Sequence, residues 1–148
     1  MKEMDYETIK SKPCVLQFYI AAVPAGFPSP ADDYIDNELD LHDYLVAHPA
    51  STFLHRVDGR SMEGAGIMDG DIVVVDRAAE AKPGRIVIAV LFGEKTLKRL
   101  VKSRQGGFML ISEPVEGDRG QYPLFPVDEA HPFETWGVVV GVVRRYPA

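Results

Sequence analysis

Between Ser51 and the carboxyl end, short segments that favour β-strands alternate with turns. Each segment either alternates apolar with polar residues or is rich in β-branched residues, which is typical of strands. Turn residues separate the segments, as at Asp69-Gly70-Asp71 and Lys82-Pro83-Gly84. The predicted strands are 53–57, 72–75, 85–92, 95–101, 108–112 and 136–145. The spacing of the turns predicts a mostly β domain of about seven strands, with a bulge at Gly141.

The first part of the chain has a different pattern. Residues 1–37 contain prolines at positions 13, 24, 28 and 30, which prevent a continuous helix. A short helix is predicted from Asp40, which can cap it, to His48, where Pro49 ends it. We therefore expect an extended arm over residues 1–37 and a β-rich domain over residues 38–148.

Composition excludes several classes of protein. The chain has 148 residues and a net charge of −6, which argues against direct binding to nucleic acid through phosphate contacts. The single cysteine, Cys14, cannot form an internal disulfide, so a reducing cytoplasm is the expected compartment. The sequence has no metal-ligand spacing and no phosphate-binding glycine loop, so no metal or cofactor is expected. The apolar runs are too short for a membrane helix.

An exported protein is an alternative interpretation of the amino end. Residues 14–25 are apolar, and Val23-Pro24-Ala25 resembles the small-residue site at which a signal peptide is cut. However, residues 1–13 carry three acidic and three basic side chains, whereas a signal peptide begins with a positive segment. Gln17 also interrupts the apolar run.

Ser61 and Lys98 are the candidate catalytic pair. Ser61 lies between Gly59 and Gly64 on a predicted turn, where glycines permit a backbone that exposes a side chain and N–H groups. A serine becomes a nucleophile when a base accepts its proton. Lys98, in a predicted strand, can be that base if apolar surroundings lower its pKa. Each residue alone has an ordinary explanation, as a turn serine and an exposed strand lysine.

Other catalytic arrangements are less well supported. A Ser-His-Asp triad would need one of the four histidines as base, and no sequence feature marks one. The histidines are His42, His48, His55 and His131. Asp69 and Asp71 flank a glycine and fit a turn better than a pair of catalytic carboxylates. The segment Val23-Pro24-Ala25-Gly26-Phe27, with its small residues, looks like a bond that a serine–lysine pair would cut.

Three separated motifs together resemble the LexA/UmuD family of self-cleaving serine peptidases. They are Gly59-Arg60-Ser61-Met62, Gly66-Ile67-Met68-Asp69-Gly70-Asp71 and Thr96-Leu97-Lys98-Arg99-Leu100. The resemblance spans roughly residues 23–145. Further segments are similar to the UmuD-type members of the family. They are Gly26-Phe27-Pro28-Ser29-Pro30-Ala31 with Asp33-Tyr34, Asp40-Leu41, His48-Pro49 and Phe133-Glu134-Thr135-Trp136-Gly137-Val138-Val139.

The resemblance implies a site and a fold. Ser61 would be the nucleophile and Lys98 the general base, and the backbone N–H groups near Arg60 and Ser61 would form the oxyanion hole. The scissile bond would be Ala25–Gly26. The implied fold is β-rich and partly barrel-like, as in signal peptidases, with an extended N-terminal arm.

The resemblance also implies partners. Cleavage would be promoted by the RecA filament on single-stranded DNA. The product, residues 26–148, would form a homodimer and join a UmuC-like DNA polymerase in error-prone synthesis during the SOS response. The alternative is a non-catalytic adaptor of the same fold that binds a polymerase or RecA without being cut.

Overall fold

The computed structural model of the protein describes residues 15–19, 22–28, 35–118, 120–127 and 133–147. The chain divides into two compact units, and the division falls between Ala47 and His48. The predicted domain boundary after residue 37 lies inside a strand of the first unit. No helix in the described residues is long and apolar enough to cross a membrane.

The described residues of the first unit form a two-stranded antiparallel sheet and one short helix. Strand β1 (Val15–Tyr19) pairs with β2 (Ile35–Asp40), and helix α1 (Leu41–Leu45) follows directly. Asp40 caps the helix as predicted, because its Oδ1 accepts hydrogen bonds from the N–H groups of His42 and Asp43. The helix ends at Leu45, three residues before the predicted end, because Val46 is already extended.

The second unit is a seven-stranded sheet in which every neighbouring pair is antiparallel. The strand order is β3-β4-β9-β5-β6-β7-β8. The sheet is not closed within the described residues, where β3 and β8 form its two edges. The strands are β3 (Thr52–Arg56), β4 (Ile72–Asp76), β5 (Ile86–Leu91), β6 (Glu94–Lys102), β7 (Phe108–Ile111), β8 (Phe125–Val127) and β9 (Glu134–Val143).

The mostly β fold class is confirmed, and the bulge predicted at Gly141 lies one residue earlier, at Val140. In the pairing of β4 with β9, Val74 lies opposite Gly141 but Val75 lies opposite Val139, so Val140 is the extra residue. The short strand β8 was not predicted. It contains Pro126, which cannot donate a backbone hydrogen bond and is tolerated because β8 is an edge strand.

The turn between β5 and β6 sets the register of β6, the strand that carries Lys98. It lies at Phe92 and Gly93, one residue earlier than the predicted Gly93-Glu94, and both residues have positive φ angles of 51° and 79°. Two-residue hairpin turns with positive φ match the twist of the strands that they join. The resulting register places Lys98 directly opposite Val87.

Two apolar clusters pack on opposite faces of the central strands. The first consists of Met62, Ile67, Val73, Val75 and Ile88, and the second of Val87, Ala89, Leu100, Leu110 and Val138. Because side chains alternate along a strand, Lys98 shares its face with Leu100 and Val87 of the second cluster. The lysine therefore points toward apolar side chains.

Two buried carboxylates also stabilise the second unit. Asp71 accepts hydrogen bonds from the Arg144 guanidinium, with Nε–Oδ1 at 2.6 Å, and from the Met68 N–H at 2.7 Å. Asp76 contacts His48 Nδ1 at 2.5 Å and accepts a hydrogen bond from the Ser51 hydroxyl at 3.1 Å. Hydrogen bonds from Arg144 and from His48, respectively, lower the pKa of Asp71 and of Asp76.

Acid is therefore expected to destabilise this protein in part through Asp71. A carboxyl group whose pKa is lowered by folding contributes stability above its ordinary pKa, here 3.8, and loses it as the pH falls through the folded value. We expect Asp71→Asn to be less stable than wild type at pH 7, with a difference that shrinks below about pH 4. Urea unfolding between pH 7 and pH 2.5 measures this difference. A difference that stays constant with pH would show that the Asp71 charge does not contribute.

Candidate active site

Ser61 lies in a loop that is fixed on both sides. Before it, the Gly59 N–H donates to Asp69 Oδ1 at 2.7 Å, and Gly59 has a φ of 101°, which favours glycine. After it, Met62 is 2% exposed and packs in the first apolar cluster. Ser61 itself is partly buried. The anchored neighbours hold the serine in place and leave its hydroxyl beside a cavity.

The residues after Ser61 dock on the segment that follows β7. The Gly64 N–H donates to the Glu113 carbonyl at 2.7 Å. A Cβ atom on Gly64 would lie 2.6 Å from the Pro114 carbonyl oxygen and 2.7 Å from that of Glu113. Arg60 and Glu63 form an ion pair across the turn, with Nε–Oε1 at 2.8 Å. Close approach of the backbones therefore requires glycine at position 64.

The N–H groups of Arg60 and Ser61 have no hydrogen-bond acceptor within the described part of the chain. Free N–H groups beside a nucleophile are able to bind the oxyanion of a tetrahedral intermediate. The prediction that these two groups form the oxyanion hole is compatible with this arrangement and stays a prediction.

Lys98 is buried, with 6% of its surface exposed. Burial lowers the pKa of the Lys98 amine, because desolvation disfavours the charged form. Among the described residues the amine has no ion-pair partner that would hold its charge. The ordinary explanation, an exposed strand lysine, is therefore wrong for this residue.

A cavity of about 300 Å³ joins the Ser61 loop to the strand that carries Lys98. Ser61 lines it on one side, and Thr96 and Leu97 line it on the β6 side. Lys98 does not line this cavity, and no hydrogen bond joins the Ser61 hydroxyl to the Lys98 amine in the described residues. Hydrogen bonds between catalytic groups are often long before substrate binds. Ser61 therefore lines the cavity, whereas the Lys98 side chain, next along β6 from Leu97, lies on the strand face that carries the second apolar cluster.

Comparison with known proteins identifies the family. Residues 17–140 match the family described as peptidase S24-like. The chain belongs to the peptidase S24-like family. It is 42% identical over 132 residues to protein MucA of Salmonella typhimurium, covering 89% of this chain and 86% of MucA. It is 43% identical over 121 residues to protein ImpA of the same organism, covering 82% of this chain and 78% of ImpA.

This S24-like chain is also similar to a repressor. It is 35% identical over 126 residues to the LexA repressor of Acidovorax sp. strain JS42, covering 85% of this chain but 53% of the repressor. The resemblance to the LexA/UmuD family is confirmed by these relatives. The chain is accordingly a serine peptidase of the LexA/UmuD type.

The candidate cleavage segment lies in the first unit of the S24-like chain. Residues 22–28 are exposed, and Val23 and Phe27 are 89% and 92% exposed. No atom lies within 4 Å of the position that a Cβ on Gly26 would occupy. The Ala25–Gly26 bond is therefore accessible in this structure.

The histidines do not form a serine–histidine–aspartate triad among the described residues. His48 pairs with Asp76, but the nearby Ser51 hydroxyl donates to Asp76 and to the His48 carbonyl rather than to the imidazole. His42 is exposed beside Asp43, and position 131 lies outside the described residues.

His55 is the histidine that sequence reasoning did not connect to the site. It lines the same cavity as Ser61, and its ring packs edge-on against Trp136 at 4.6 Å between centroids. The pKa of His55 is lowered mainly by burial and to a smaller extent by the nearby Lys95 charge. No sequence signal marked His55, because its place depends on the pairing of β3 with β4 and of β4 with β9.

One group of side chains in the described residues is arranged so that it could converge on a metal ion. It consists of Asp40, His42 and Asp43 at the start of α1. Asp40 already uses Oδ1 to cap the helix, and His42 and Asp43 are exposed. This geometry is explained by helix capping.

Proposed function

We propose that this protein is a self-cleaving peptidase in which Ser61 attacks the Ala25–Gly26 bond and Lys98 is the general base. The observation that carries the proposal is the burial of Lys98 without a counter-ion, on a strand that also lines the Ser61 cavity. Residues 1–37 then act as the arm that carries the substrate bond, and residues 38–148 as the peptidase domain.

The chemistry requires an uncharged lysine. The neutral Lys98 amine takes the Ser61 proton while Oγ bonds to the Ala25 carbonyl carbon. The N–H groups of Arg60 and Ser61 donate to the resulting oxyanion. Lys98 then gives its proton to the Gly26 nitrogen as the C–N bond breaks, leaving an ester on Ser61. Water hydrolyses this ester and releases the Ala25 carboxylate.

Attachment of the substrate to the enzyme makes a modest catalyst sufficient. A tethered bond replaces a bimolecular encounter, so the effective concentration of substrate is high. Small residues at Ala25 and Gly26 allow the backbone to enter a narrow cavity. Control then lies in how often the arm and the dyad reach the competent arrangement.

The cellular role that we propose follows the family resemblance. A RecA filament on single-stranded DNA would stabilise the competent state and so accelerate cleavage. The product, residues 26–148, would be a homodimeric subunit of an error-prone translesion polymerase with a UmuC-like partner. The acidic net charge of −6 supports action through protein partners rather than direct contact with DNA.

Intact mass spectrometry with and without RecA, single-stranded DNA and nucleotide tests this proposal. We expect wild type to yield a fragment that begins at Gly26, faster with the filament, and Ser61→Ala to remain whole. Cleavage that persists in Ser61→Ala would instead support the interpretation that this is an exported protein with a cleaved signal peptide. Absence of cleavage in every sample would instead favour the non-catalytic adaptor.

His55 is the rival base, since it lines the Ser61 cavity. We expect His55→Ala to slow cleavage by less than about tenfold, because removing a true general base typically costs about 10²–10⁴-fold. Single-turnover cleavage followed by gel densitometry measures the rate, with Lys98→Ala as the comparison. A larger loss in His55→Ala than in Lys98→Ala would assign the proton transfer to the histidine.

A further inference from the structure

The Ser112 hydroxyl is a buried polar group that has no part in the proposed mechanism. It has no hydrogen-bond partner within the described part of the chain. Buried hydroxyl groups are nearly always hydrogen-bonded, and each exception needs an explanation such as strain, a catalytic role or a bound water. Ser112 is therefore a candidate for an interaction that forms only when the site is competent.

The register of β6 and β7, extended one residue past its last pair, puts Ser112 across from Lys98. Arg99 pairs with Ile111 and Leu100 pairs with Leu110, so one further step along both chains joins position 98 to position 112. Residues opposite each other in an antiparallel pair project to the same face, with Cβ atoms about 4.5–5.5 Å apart. If the alternation of β7 continues for this one residue, the Ser112 side chain lies on the same face as the Lys98 side chain.

Ser112 also adjoins the nucleophile loop. The next residue, Glu113, accepts the hydrogen bond from the Gly64 N–H, which belongs to the loop that carries Ser61. Ser112 therefore lies between β7, which pairs with the Lys98 strand, and the Glu113 carbonyl, which contacts the Ser61 loop. Thr96 lies on the same face of β6. It lines the Ser61 cavity, and its hydroxyl is not among the buried groups that lack a partner.

We propose that Ser112 is a positioning residue for the general base. Its Oγ accepts a hydrogen bond from one N–H of the neutral Lys98 amine, and this contact directs the nitrogen lone pair toward the Ser61 hydroxyl. The inference rests on the proposed serine–lysine mechanism and adds a residue that this mechanism does not otherwise use.

The charged side chains of neighbouring segments are paired or exposed, so a hydroxyl is the group that can position the Lys98 amine. Strands β5 and β7 carry no titratable side chain. The carboxylates of the Ser61 loop and of the segment after β7 are already paired, Glu63 with Arg60 and Glu113 with Arg99 at 2.7 Å. Lys95 and Lys102 on β6 itself are exposed, and Lys95 packs over Trp136.

A pair of nearly isosteric variants tests the hydrogen bond separately from cleavage. In the inert Ser61→Ala background, carbon-13 NMR of the Lys98 Cε follows its titration in Ser112→Thr and Ser112→Val. Both variants add the same bulk, but only threonine keeps the hydroxyl. A hydroxyl acceptor stabilises the protonated amine. We therefore expect Lys98 to titrate at a lower pH in Ser112→Val than in Ser112→Thr. Equal midpoints would overturn the proposal.

The same two Ser112 variants, made in a protein that keeps Ser61, measure the effect on the rate of self-cleavage. We expect Ser112→Val to cleave roughly tenfold more slowly than Ser112→Thr at the same melting temperature, since misplacement of a catalytic group lowers the rate without unfolding. Equal rates would overturn the positioning role. If the added methyl group unfolds both, Ser112→Ala against wild type makes the same comparison. A wild type that never cleaves would refute the peptidase mechanism, whereas the titration still decides the hydrogen bond.

Discussion

Replacing Lys98 with methionine is expected to stop self-cleavage and to make the protein more stable at neutral pH. Loss of a general base slows a reaction by about 10²–10⁴-fold. The stability gain arises because Lys98 is buried among apolar residues, which penalises its charged form. Methionine has a similar shape and needs no hydration.

The pH dependence of this gain follows from the direction of the shift. Folding lowers the pKa of Lys98, so the unfolded chain binds more protons between the folded value and the ordinary value of 10.5. Wild type therefore becomes more stable as the pH rises through that window, and the advantage of Lys98→Met declines. Below the folded pKa the advantage is fully present.

Urea unfolding and single-turnover cleavage of wild type, Lys98→Met and Lys102→Met measure both effects. Lys102 lies on the same face of β6 but is exposed, so it is the matched control and should change neither property by much. A Lys98→Met protein that is less stable than wild type at pH 7, or that still cleaves itself at the wild-type rate, would contradict the account of the buried base.

Gly64→Ala is expected to reduce both stability and activity. An added Cβ would lie 2.6–2.7 Å from two backbone carbonyl oxygens, of Pro114 and Glu113, and neither can rotate away. The loop would have to move and lose the hydrogen bond from the Gly64 N–H. Overpacking of this kind typically costs about 1–3 kcal/mol, and Ser61 would move with the loop.

The control for Gly64→Ala is Gly117→Ala. A Cβ on Gly117 would meet no atom within 4 Å, and its φ is not in the left-handed region. Urea unfolding should show a loss for Gly64→Ala and little change for Gly117→Ala. Cleavage at the wild-type rate by a folded Gly64→Ala protein would show that docking on Glu113 does not position the nucleophile.

The strands that were predicted correctly are those with a strong local signal. β4 is a run of β-branched residues between turns, and β9 is rich in valine. β8 was missed because three residues that include a proline carry almost no strand signal of their own. Its place depends on its pairing with β7, which is not visible in its own sequence.

The sequence predicted which residues belong to the candidate site, but not their burial or their contacts. Sequence motifs selected Ser61 and Lys98, but they do not state whether a lysine is buried, and lysine usually is not. The burial of Lys98 results from the β5–β6 register and from packing between distant strands. The contact of Gly64 with Glu113 and the orphan hydroxyl of Ser112 likewise depend on segments far apart in sequence.

Mass spectrometric identification of the new amino terminus tests the central claim most directly. Purified wild type, Ser61→Ala and Lys98→Ala should be incubated from pH 6 to pH 10 without any added protein. The account predicts a single cut between Ala25 and Gly26 in wild type, faster as Lys98 loses its proton, and intact chains in both variants. A cut at another bond, or the same cut at the same rate in either variant, would contradict it.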